Sequence, residues 1–450
     1  MSVTTNIETS GGAVTVTPIR RVRGEMRVPG DKSVSHRAAM VASVAEGRSV
    51  VRNFSTARDC AATLECLRAL GVSIEVEGAT VGVEGAGAEG LRAPAAELDA
   101  QNSGTTVRLL AGVLAGQAFE ATLTGDESLR SRPMRRVAEP LRLMGAEVET
   151  QTDGCAPLRV RGRRPLRAIT YRLPVASAQI KSAVLLAGLF ADGTTTVEEP
   201  APTRDHTERM LREFGAEVSR EGVRVSVRGG AKLRAREFSV PGDVSSAAFF
   251  VAAAVVLPGS DLTIRDVGLN PTRTAFLDAL TKLGADVQVN DRRLECGEPV
   301  GTLRVRGRAP GGSRSRPETS GALEISGAVV ANLIDELPLL AFVAAATGRG
   351  LEVSGARELR VKESDRIRAT VENLGRMGAR VEEREDGWRV LGRGEPLRGA
   401  ALDSFGDHRI AMACAVAALA CDGASEIAGA REAVAVSLPE FWSLLGGVVE

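Results

Sequence analysis

The chain has 450 residues, of which 44% are hydrophobic and 25% charged, enough for two or three domains with sizeable cores. Lys and Arg together number 57, as do Asp and Glu, and this balance argues against a general nucleic-acid or membrane-surface binder. Aromatic residues make up only 3%, too few for base-stacking platforms, and no stretch resembles a signal peptide or a membrane span. We therefore expect a cytoplasmic protein that binds neither nucleic acid nor membranes.

Cysteine and histidine are too scattered to indicate a disulfide framework or a zinc site. None of the six cysteines forms a CxxC pair, and the three histidines lie far apart in the sequence. Zinc sites need closely spaced ligands, and disulfide frameworks are rare in long chains with few cysteines. We expect no metal centre.

A Leu-x-x-x-Gly phrase recurs along the chain, and each copy predicts the end of a helix followed by a strand. Glycine suits this position because it adopts the left-handed backbone conformation without strain. The copies recur at intervals of 68 to 94 residues, which predicts six structural repeats. The marker glycines are Gly71, Gly145, Gly215, Gly284, Gly378 and, in a degenerate copy, Gly446.

A polar opening precedes an Ala-, Leu- and Val-rich helix in every repeat. Because these helices are apolar on nearly all sides, we expect them to be buried, with their N-termini gathered in one place. Short alternating runs between the helices predict strands, so each repeat mixes α and β structure. The openings begin at Asp31, Asn102, Ser177, Asp243, Asp335 and Asp407.

The six repeats predict two domains of three repeats each. The last repeat ends without closing strands, whereas residues 13–28 predict two strands with no helix before them. We therefore expect the N-terminus to complete the last repeat. This predicts a continuous domain of residues 30–241 and a discontinuous domain of residues 13–29 and 242–450.

Three connecting segments follow from this division. Two Pro-Gly-Asp sequences, at 29–31 and 241–243, are expected to be the crossings between the domains. A stretch rich in Gly, Arg and Ser within residues 300–321 predicts a loop. Residues 1–12 are expected to be disordered.

The first repeat opens with a candidate anion site. A helix that begins near Asp31 places Lys32 and His36 one turn apart, and likewise Ser33 and Arg37. Free N–H groups at a helix start, with Lys, Ser and Arg beside them, favour the binding of an anion. The alternative is an ordinary capped helix with solvated charges.

The second and third repeats add polar helix starts of the same kind. Gly104 allows a ligand to approach the backbone closely, and Arg132 belongs to an arginine cluster of which one member is expected to point inward. Ser177 and Gln179 suit the recognition of hydroxyl or phosphate groups, and Arg204 is placed to reach a ligand. Lys181 is interpreted as structural, and Asp205 with His206 as ligand contacts or an internal capping pair.

The second half of the chain carries acids as well as bases. Asp335 opens an apolar helix, as its cap or as a proton-transfer group, and Lys362 is predicted to share a helical face with Arg366. Together these openings predict a cleft for a multiply anionic substrate with paired acid and base groups. The other candidates here are Glu363, His408 and Arg409.

Eight segments together resemble one family, the EPSP synthases (3-phosphoshikimate 1-carboxyvinyltransferases). Each segment is a weak signal alone, but all eight occur in the family's order between residues 14 and 442. The resemblance implies an α/β fold of two domains, each of three βαβαββ units with buried parallel helices, closing over an interdomain cleft. The segments are GDKSVSHR, QNSGTTVRLL, SRPM, ASAQIKSA, TRDHTERM, DELPLLA, VKESDRI and GDHRIAM.

The resemblance also implies a reaction. Members of the family transfer the enolpyruvyl group of phosphoenolpyruvate to the 5-hydroxyl of shikimate 3-phosphate and release phosphate, without a metal or organic cofactor. The expected partners are these two small molecules, and the expected state is a monomer. The inhibitor glyphosate is expected to occupy the phosphoenolpyruvate site.

Site residues carry over from the family by motif. By resemblance, Asp335 is the base for the 5-hydroxyl, Glu363 protonates the methylene carbon, and Lys32 belongs to the catalytic set. The residues expected to bind phosphoenolpyruvate are Lys32, Gly104, Arg132, Gln179, Arg366 and Arg409. Those expected to bind shikimate 3-phosphate are Lys32, Ser33, Arg37, Ser177, Ala178, Gln179, Arg204, Asp335 and Lys362.

The chain departs from the family's pattern at two positions. Val436 stands where many members have a lysine, so phosphoenolpyruvate is expected to bind more weakly unless Arg135 or His408 compensates. Ala178 stands where some members have Ser, which resembles a second subgroup of the family.

Three other interpretations remain open at this point. An enolpyruvyl transferase acting on UDP-N-acetylglucosamine is expected to have Asn after its N-terminal lysine, where this chain has Ser33. A non-catalytic scaffold for phosphorylated ligands gains nothing from the carboxylates of Asp335 and Glu363. RNA-terminal-phosphate cyclases use related repeats, but the neutral charge and few aromatics disfavour RNA.

Overall fold

The structure is a computed structural model that describes residues 7–10, 12–307, 322–392 and 395–450. It contains two compact units. The inserted unit comprises Gly30–Pro241 and Leu294–Glu298. The terminal unit comprises Gly242–Arg293, Pro299–Glu450 and the described residues up to Pro29.

Short strands and helices follow one another along both units. Up to residue 241 they are β1 (Ile7–Ser10), β2 (Ala13–Val16), β3 (Arg23–Arg27), α1 (Lys32–Ser43), β4 (Glu46–Arg52), α2 (Arg58–Ala69), β5 (Ser73–Glu77), β6 (Thr80–Ala86), β7 (Leu98–Asp99), α3 (Gly104–Ala115), β8 (Glu120–Thr124), α4 (Glu127–Arg130), α5 (Arg135–Leu143), β9 (Glu147–Glu149), β10 (Leu158–Arg161), β11 (Leu166–Arg167), β12 (Thr170–Arg172), α6 (Ala178–Gly188), β13 (Ala191–Asp192), β14 (Thr194–Glu198), α7 (His206–Glu213), β15 (Val218–Glu221), β16 (Arg224–Arg228) and β17 (Glu237–Ser239). After residue 241 they are α8 (Val244–Val256), β18 (Asp261–Gly268), α9 (Ala275–Lys282), β19 (Asp286–Glu295), β20 (Glu298–Arg306), β21 (Leu323–Ile325), α10 (Val329–Leu333), α11 (Leu337–Ala346), β22 (Leu351–Val353), a 3-10 turn (Arg357–Val361), α12 (Arg366–Arg376), β23 (Val381–Arg384), β24 (Gly387–Val390), β25 (Ala401–Asp403), α13 (His408–Ala418), β26 (Ser425–Ala428), α14 (Ala430–Ala435) and α15 (Phe441–Gly446).

Six four-stranded sheets in the described ranges share one pattern. Two strands pair in parallel, and the second of them also pairs antiparallel with a hairpin. In the first repeat, Phe238 lies opposite Val51 in parallel register, and Val51 lies opposite Val81 in antiparallel register. This is the two-domain α/β fold that the sequence predicts. The sheet orders are β17-β4-β6-β5, β7-β8-β10-β9 and β12-β14-β16-β15 in the inserted unit, and β3-β18-β20-β19, β21-β22-β24-β23 and β25-β26-β2-β1 in the terminal unit, apart from the hairpin tip at Leu294–Glu298.

The N-terminal strands join sheets that the C-terminal half begins. β2 pairs with β26, where Val14 lies opposite Ile427, and β3 pairs in parallel with β18. The predicted disorder of residues 1–12 is wrong for residues 7–10, because β1 pairs antiparallel with β2 and so satisfies its backbone groups. Residues 1–6 and 11 lie outside the described residues.

The predicted loop at residues 300–321 is wrong at its start. Residues up to Arg306 continue β20, because Leu303 and Val305 alternate with polar neighbours and are buried in the core. Residues 308–321 lie outside the described residues.

The Ala-rich helices are buried on nearly all sides, as their composition predicts. α8, α11 and α13 pack against one another in the terminal unit, and α3 packs against α1 and α6 in the inserted unit. Small residues permit this packing: a Cβ at Gly112 of α3 would lie 2.2 Å from the Ala183 carbonyl oxygen of α6. No helix in the part of the chain that the structure describes is long and apolar enough to cross a membrane.

Five of the six marker glycines have the left-handed conformation that the repeat phrase predicts. Gly71, Gly145, Gly215, Gly284 and Gly378 have φ angles of 88°, 101°, 101°, 91° and 83°. The sixth copy differs, because Gly446 lies inside the last turn of α15 and its neighbour Gly447 has a φ of −74°. A helix does end there, but without the left-handed cap.

Candidate active site

The buried helices α1, α3 and α6 of the inserted unit begin at polar caps. Asp31, Ser103 and Ser177 each accept a hydrogen bond from the N–H group three residues ahead, at 3.0, 3.2 and 3.4 Å. A cap satisfies one of the four N–H groups that a helix start leaves without intrahelical partners. Directly after the first cap, the partly exposed Lys32 Nζ lies 3.0 Å from Asp59 Oδ2. A primary ammonium group thus stands at a helix start, as predicted.

Arg37 is buried and makes three hydrogen bonds within the inserted unit. Its Nε donates to Thr207 Oγ1 at 2.7 Å, its Nη2 to Ser182 Oγ at 2.9 Å, and its Nη1 to the Ser33 carbonyl oxygen at 2.8 Å. Burial lowers the pKa of Arg37 to about 10, so the side chain remains a cation at neutral pH. The predicted one-turn relation of Ser33 and Arg37 is confirmed.

A buried chain of hydrogen bonds joins the first turns of α1 and α3 through Thr63 in the middle of α2. His36 Nδ1 lies 2.7 Å from Thr63 Oγ1, which lies 2.7 Å from Thr106 Oγ1, whose hydroxyl is 2.7 Å from the Ser103 cap. Burial lowers the pKa of His36 to about 3, so its ring is neutral at neutral pH. These hydrogen bonds therefore fix α1, α2 and α3 relative to one another without adding charge.

Two arginines border Gly104 at the start of α3. Arg132, the inward-pointing member of its cluster, donates from Nη2 to Asn102 Oδ1 at 2.6 Å. Arg108 donates from Nη1 to Gln179 Oε1 at 2.9 Å. A Cβ at Gly104 would lie 2.7 Å from Arg108 Nη1 and 3.4 Å from Arg132 Nη1. Glycine at this position therefore lets both guanidinium groups lie against the helix start.

The third repeat presents its predicted residues at the start of α6 and before α7. Ala178 is the first helical residue, and Gln179 donates from Nε2 to Thr105 Oγ1 at 3.0 Å. Arg204 is half-buried in the segment between β14 and α7. Its positive charge adds to burial in lowering the pKa of Arg37, so these two cations are neighbours.

The residues interpreted as structural have internal partners. Lys181 is fully buried and ion-paired with two glutamates, in agreement with that interpretation. The capping-pair alternative for Asp205 and His206 is wrong: Asp205 makes no cap hydrogen bond and is ion-paired with Arg209 at 2.9 Å. His206 Nδ1 lies 2.8 Å from Glu298 Oε1.

In the terminal unit the predicted acids gather around one buried cation. Arg366, 1% exposed, donates from Nη2 to Glu363 Oε2 at 2.6 Å and from Nε to Asp407 Oδ2 at 2.7 Å. Its Nη1 lies 3.5 Å from Asp335 Oδ1. Burial disfavours the charge of Arg366, but these three carboxylates together raise its pKa above the ordinary value. Arg366 therefore stays charged beside both predicted acid and base groups.

A second cation, Arg409, contacts the same stretch of chain. Its Nη1 donates to the Asp335 carbonyl oxygen at 3.1 Å and to Glu336 Oε1 at 3.3 Å. Glu336 is buried and also accepts a hydrogen bond from the Ser245 hydroxyl. Ser245 in turn accepts one from Arg273 Nη2 at 2.6 Å. Arg409 is thus held from behind by a polar chain and lies beside Asp335.

Two predictions of local structure are wrong here. Asp335 is not a helix cap, because α11 begins two residues later and the carboxylate faces Arg366. Lys362 does not share a helical face with Arg366, because it ends the 3-10 turn Arg357–Val361. Asp365 caps the next helix, which begins only at Arg366. The helical period therefore does not extend back to Lys362.

Four contacts of the site go beyond the roles predicted from the sequence. Asp407 is predicted only as a helix opening, and Glu336 adjoins Asp335 in the sequence. Arg108 lies one helical turn after Gly104, a spacing that could have indicated it. No local signal marks the Asp59 contact of Lys32. Within the described ranges, no group of three or more His, Cys, Asp or Glu residues is arranged to hold a metal ion.

Comparisons with known proteins show the family of this chain. The family model of EPSP synthase (3-phosphoshikimate 1-carboxyvinyltransferase) matches residues 16–445. A 3-phosphoshikimate 1-carboxyvinyltransferase from Solibacter usitatus (strain Ellin6076) is 50% identical to this chain, and the match covers 97% of this chain and 99% of the relative. A protein of the same name from Geobacillus kaustophilus (strain HTA426) is 49% identical, and the match covers 95% of this chain and 98% of the relative. A solved EPSP synthase structure from Acinetobacter baumannii, 43% identical, covers 97% of this chain and 98% of its own with a TM-score of 0.87. The chain belongs to the EPSP synthase family.

Proposed function

We propose how the side chains described above divide the work of the family's reaction. The chain is an enzyme that transfers the enolpyruvyl group of phosphoenolpyruvate to the 5-hydroxyl of shikimate 3-phosphate. The products are 5-enolpyruvylshikimate 3-phosphate and phosphate, a step of the shikimate pathway toward chorismate and the aromatic amino acids. The observation that carries the assignment of roles is the contact of buried Arg366 with two partly exposed carboxylates, Asp335 and Glu363.

Phosphoenolpyruvate carries a phosphate and a carboxylate, and we assign both to the cations at the helix starts. Guanidinium groups suit this role because their planar fork donates two parallel hydrogen bonds to such anions. Gly104 supports the assignment, since its lack of a Cβ lets two guanidinium groups approach the α3 start. The assigned residues are Lys32, Gly104, Arg132, Gln179, Arg366 and Arg409.

Shikimate 3-phosphate combines a phosphate, a carboxylate and hydroxyl groups, and needs both cations and neutral hydrogen-bonding groups. Ser177 and Gln179 at the α6 start and Arg204 nearby supply these types of group. Arg37 makes three hydrogen bonds inside the inserted unit, so only its remaining N–H groups can donate to the substrate. The assigned residues are Lys32, Ser33, Arg37, Ser177, Ala178, Gln179, Arg204, Asp335 and Lys362.

The chemistry we assign is general acid–base catalysis. Asp335 accepts the proton of the 5-hydroxyl, whose oxygen then bonds to C2 of phosphoenolpyruvate, while Glu363 gives a proton to C3. C2 becomes electrophilic only as C3 gains this proton. The tetrahedral intermediate then returns a proton from C3 to the Glu363 carboxylate and releases its phosphate, and the product alkene forms. Cations beside the phosphate stabilise the charge that builds up as it leaves.

Arg366 links binding to proton transfer. In the structure its Nη2 is bonded to Glu363, a contact that favours the ionised carboxylate. An anionic substrate bound to Arg366 would compete with Glu363 for the guanidinium group. Glu363 would then lose its cationic partner and lie beside an anion, and both changes make a carboxylate bind a proton more readily. Substrate binding would thereby prepare Glu363 to donate.

Phosphate release by the purified protein tests the reaction. With phosphoenolpyruvate, we expect release with shikimate 3-phosphate and none above background with UDP-N-acetylglucosamine. Release with UDP-N-acetylglucosamine but not with shikimate 3-phosphate would show that the assigned acceptor is wrong. Asp335→Asn is the matched control for catalysed release, because it keeps the side-chain shape and removes the base.

We also propose that the enzyme acts as a monomer in the cytoplasm. Both substrates are highly charged metabolites that do not cross membranes unaided, so the enzyme is expected where they are made. Each unit has its own continuous hydrophobic core, which supports a monomer. Sedimentation of the purified protein at several concentrations measures the oligomeric state.

A further inference from the structure

A fully buried lysine joins three segments of the inserted unit. Lys181 Nζ lies 3.1 Å from Glu199 Oε1 and 2.8 Å from Glu208 Oε1, and none of the three side chains is more than 1% exposed. Arg220 adds a second cation, with Nη2 3.2 Å from Glu199 Oε2. Buried ion pairs stabilise a fold little compared with apolar side chains of similar volume. The contacts that this cluster makes with the neighbouring chain therefore matter more than its net contribution to the stability of the fold.

The cluster holds Thr203 by all of its polar groups. Glu199 Oε1 accepts hydrogen bonds from the Thr203 N–H at 3.0 Å and from the Thr203 hydroxyl. Lys181 Nζ donates to the Thr203 carbonyl oxygen at 3.3 Å. Because charged groups form the stronger hydrogen bonds, the backbone of Thr203 is firmly fixed.

Arg204 follows in a segment without regular structure. Residues 199–205 connect β14 to α7, and no backbone–backbone hydrogen bond is described for residues 200–204 within it. On the other side of Arg204, the Thr207 hydroxyl accepts a hydrogen bond from Arg37 at 2.7 Å and lies 2.6 Å from Ser182 Oγ. Two consecutive residues of α6, Lys181 and Ser182, therefore hold the chain on both sides of Arg204.

We propose that Lys181, Glu199 and Glu208 are positioning residues for Arg204. They fix its backbone so that the guanidinium group meets shikimate 3-phosphate, and the inference rests on the assignment of Arg204 to that substrate made above. Lysine suits the centre of the cluster because its ammonium group is ion-paired with two carboxylates and also donates a hydrogen bond to the Thr203 carbonyl oxygen. Misplacing a positioned group by about 1 Å is enough to weaken its function strongly.

Two variants weaken the hold of the cluster on Thr203 to different degrees. Glu199→Gln removes a charge that binds Thr203, Lys181 and Arg220, and we expect it to raise KM for shikimate 3-phosphate about tenfold. Thr203→Val removes only the hydroxyl, with an expected rise of about threefold. For both, kcat and KM for phosphoenolpyruvate at saturating shikimate 3-phosphate should change less than about twofold.

Thr195→Val is the matched control. Thr195 lies on β14, is fully buried, and its hydroxyl has no hydrogen-bond partner among the described residues. Its replacement perturbs β14, the strand that leads to Glu199, and leaves the contacts of the cluster intact. All kinetic constants should therefore match those of the unmodified enzyme. Thermal unfolding of every variant records any general loss of stability.

A double-mutant cycle with Arg204→Ala distinguishes positioning from general loosening. If the cluster acts through Arg204, Glu199→Gln raises KM for shikimate 3-phosphate no further in the Arg204→Ala background. Additive increases would overturn the inference and leave the assignment of Arg204 intact. An unchanged KM in Arg204→Ala would overturn that assignment and the inference with it. Should Glu199→Gln fail to fold, Thr203→Val completes the same cycle.

Discussion

Asp407 and Arg366 form a buried ion pair that joins the starts of α12 and α13. Arg366 Nε donates to Asp407 Oδ2 at 2.7 Å, and the side chains are 1% and 0% exposed. Burial opposes the charge of Asp407, but Arg366 and His408 hold its pKa below the ordinary value. Asp407 also caps α13 through the Arg409 N–H. One carboxylate thus fixes two of the cations assigned to phosphoenolpyruvate.

Asp407→Asn is expected to lower the free energy of unfolding by about 3 kcal/mol, because it leaves Arg366 buried beside a neutral partner. Asparagine is itself a good helix cap, so the loss reports the charge and not the cap. Urea unfolding measures it. Asp365→Asn is the control, since Asp365 caps α12 but is one-third exposed, and it should cost about 1 kcal/mol or less. Equal losses in both variants would contradict the role of the buried pair.

Glu363→Gln is expected to lower kcat about 100-fold, because the amide keeps the shape but neither donates nor accepts the proton for C3. Binding of both substrates should survive, as measured by isothermal titration calorimetry. Glu372→Gln on the adjoining helix α12 is the matched control, since Glu372 pairs only with Arg368 and Arg376 in the ion pairs described, and kcat should not change. Near-normal turnover of Glu363→Gln would make this residue merely structural.

Gly104→Ala is expected to raise the inhibition constant of glyphosate more than KM for phosphoenolpyruvate. The added methyl group would lie 2.7 Å from Arg108 Nη1 and must displace that guanidinium group, narrowing the space for the longer inhibitor. Steady-state inhibition of both proteins measures the two constants. The same factor on both would contradict selective exclusion. Because Val436 replaces a cation common in the family, the unmodified enzyme should be measurably but weakly sensitive.

His36 is expected to make stability fall as the pH is lowered below about 6.5. Its pKa is about 3 in the fold and 6.5 in the unfolded reference, so the unfolded chain binds a proton that the folded chain excludes. The stabilisation is complete above pH 6.5 and is lost, by up to about 1.4 kcal/mol per pH unit, as the pH falls toward 3. Urea unfolding of the unmodified protein and of His36→Asn should show a shallower pH dependence in the variant. Parallel curves would refute this account.

Local patterns in the sequence were sufficient for the periodic features of the protein. The left-handed conformation of five of the six marker glycines, five of the six polar helix openings and the fully apolar helices depend on residues within one or two turns of chain, so spacing alone predicts them; Gly446 and Asp335 are the exceptions. Eight motifs in register likewise identified the family. The failures lie where a local rule met a competing one: Asp365 begins its own helix and so separates Lys362 from the face of Arg366.

Only the tertiary structure decided which side chains are partners. Arg37 bonds to Thr207, which lies 170 residues away, and Arg366 pairs with Asp407 on another helix. Such contacts depend on how helices and sheets pack, and no spacing within a single segment encodes that distance. Burial then determines the chemistry, because water no longer screens the charges. It strengthens the attraction between Arg366 and each carboxylate around it, and it keeps His36 neutral.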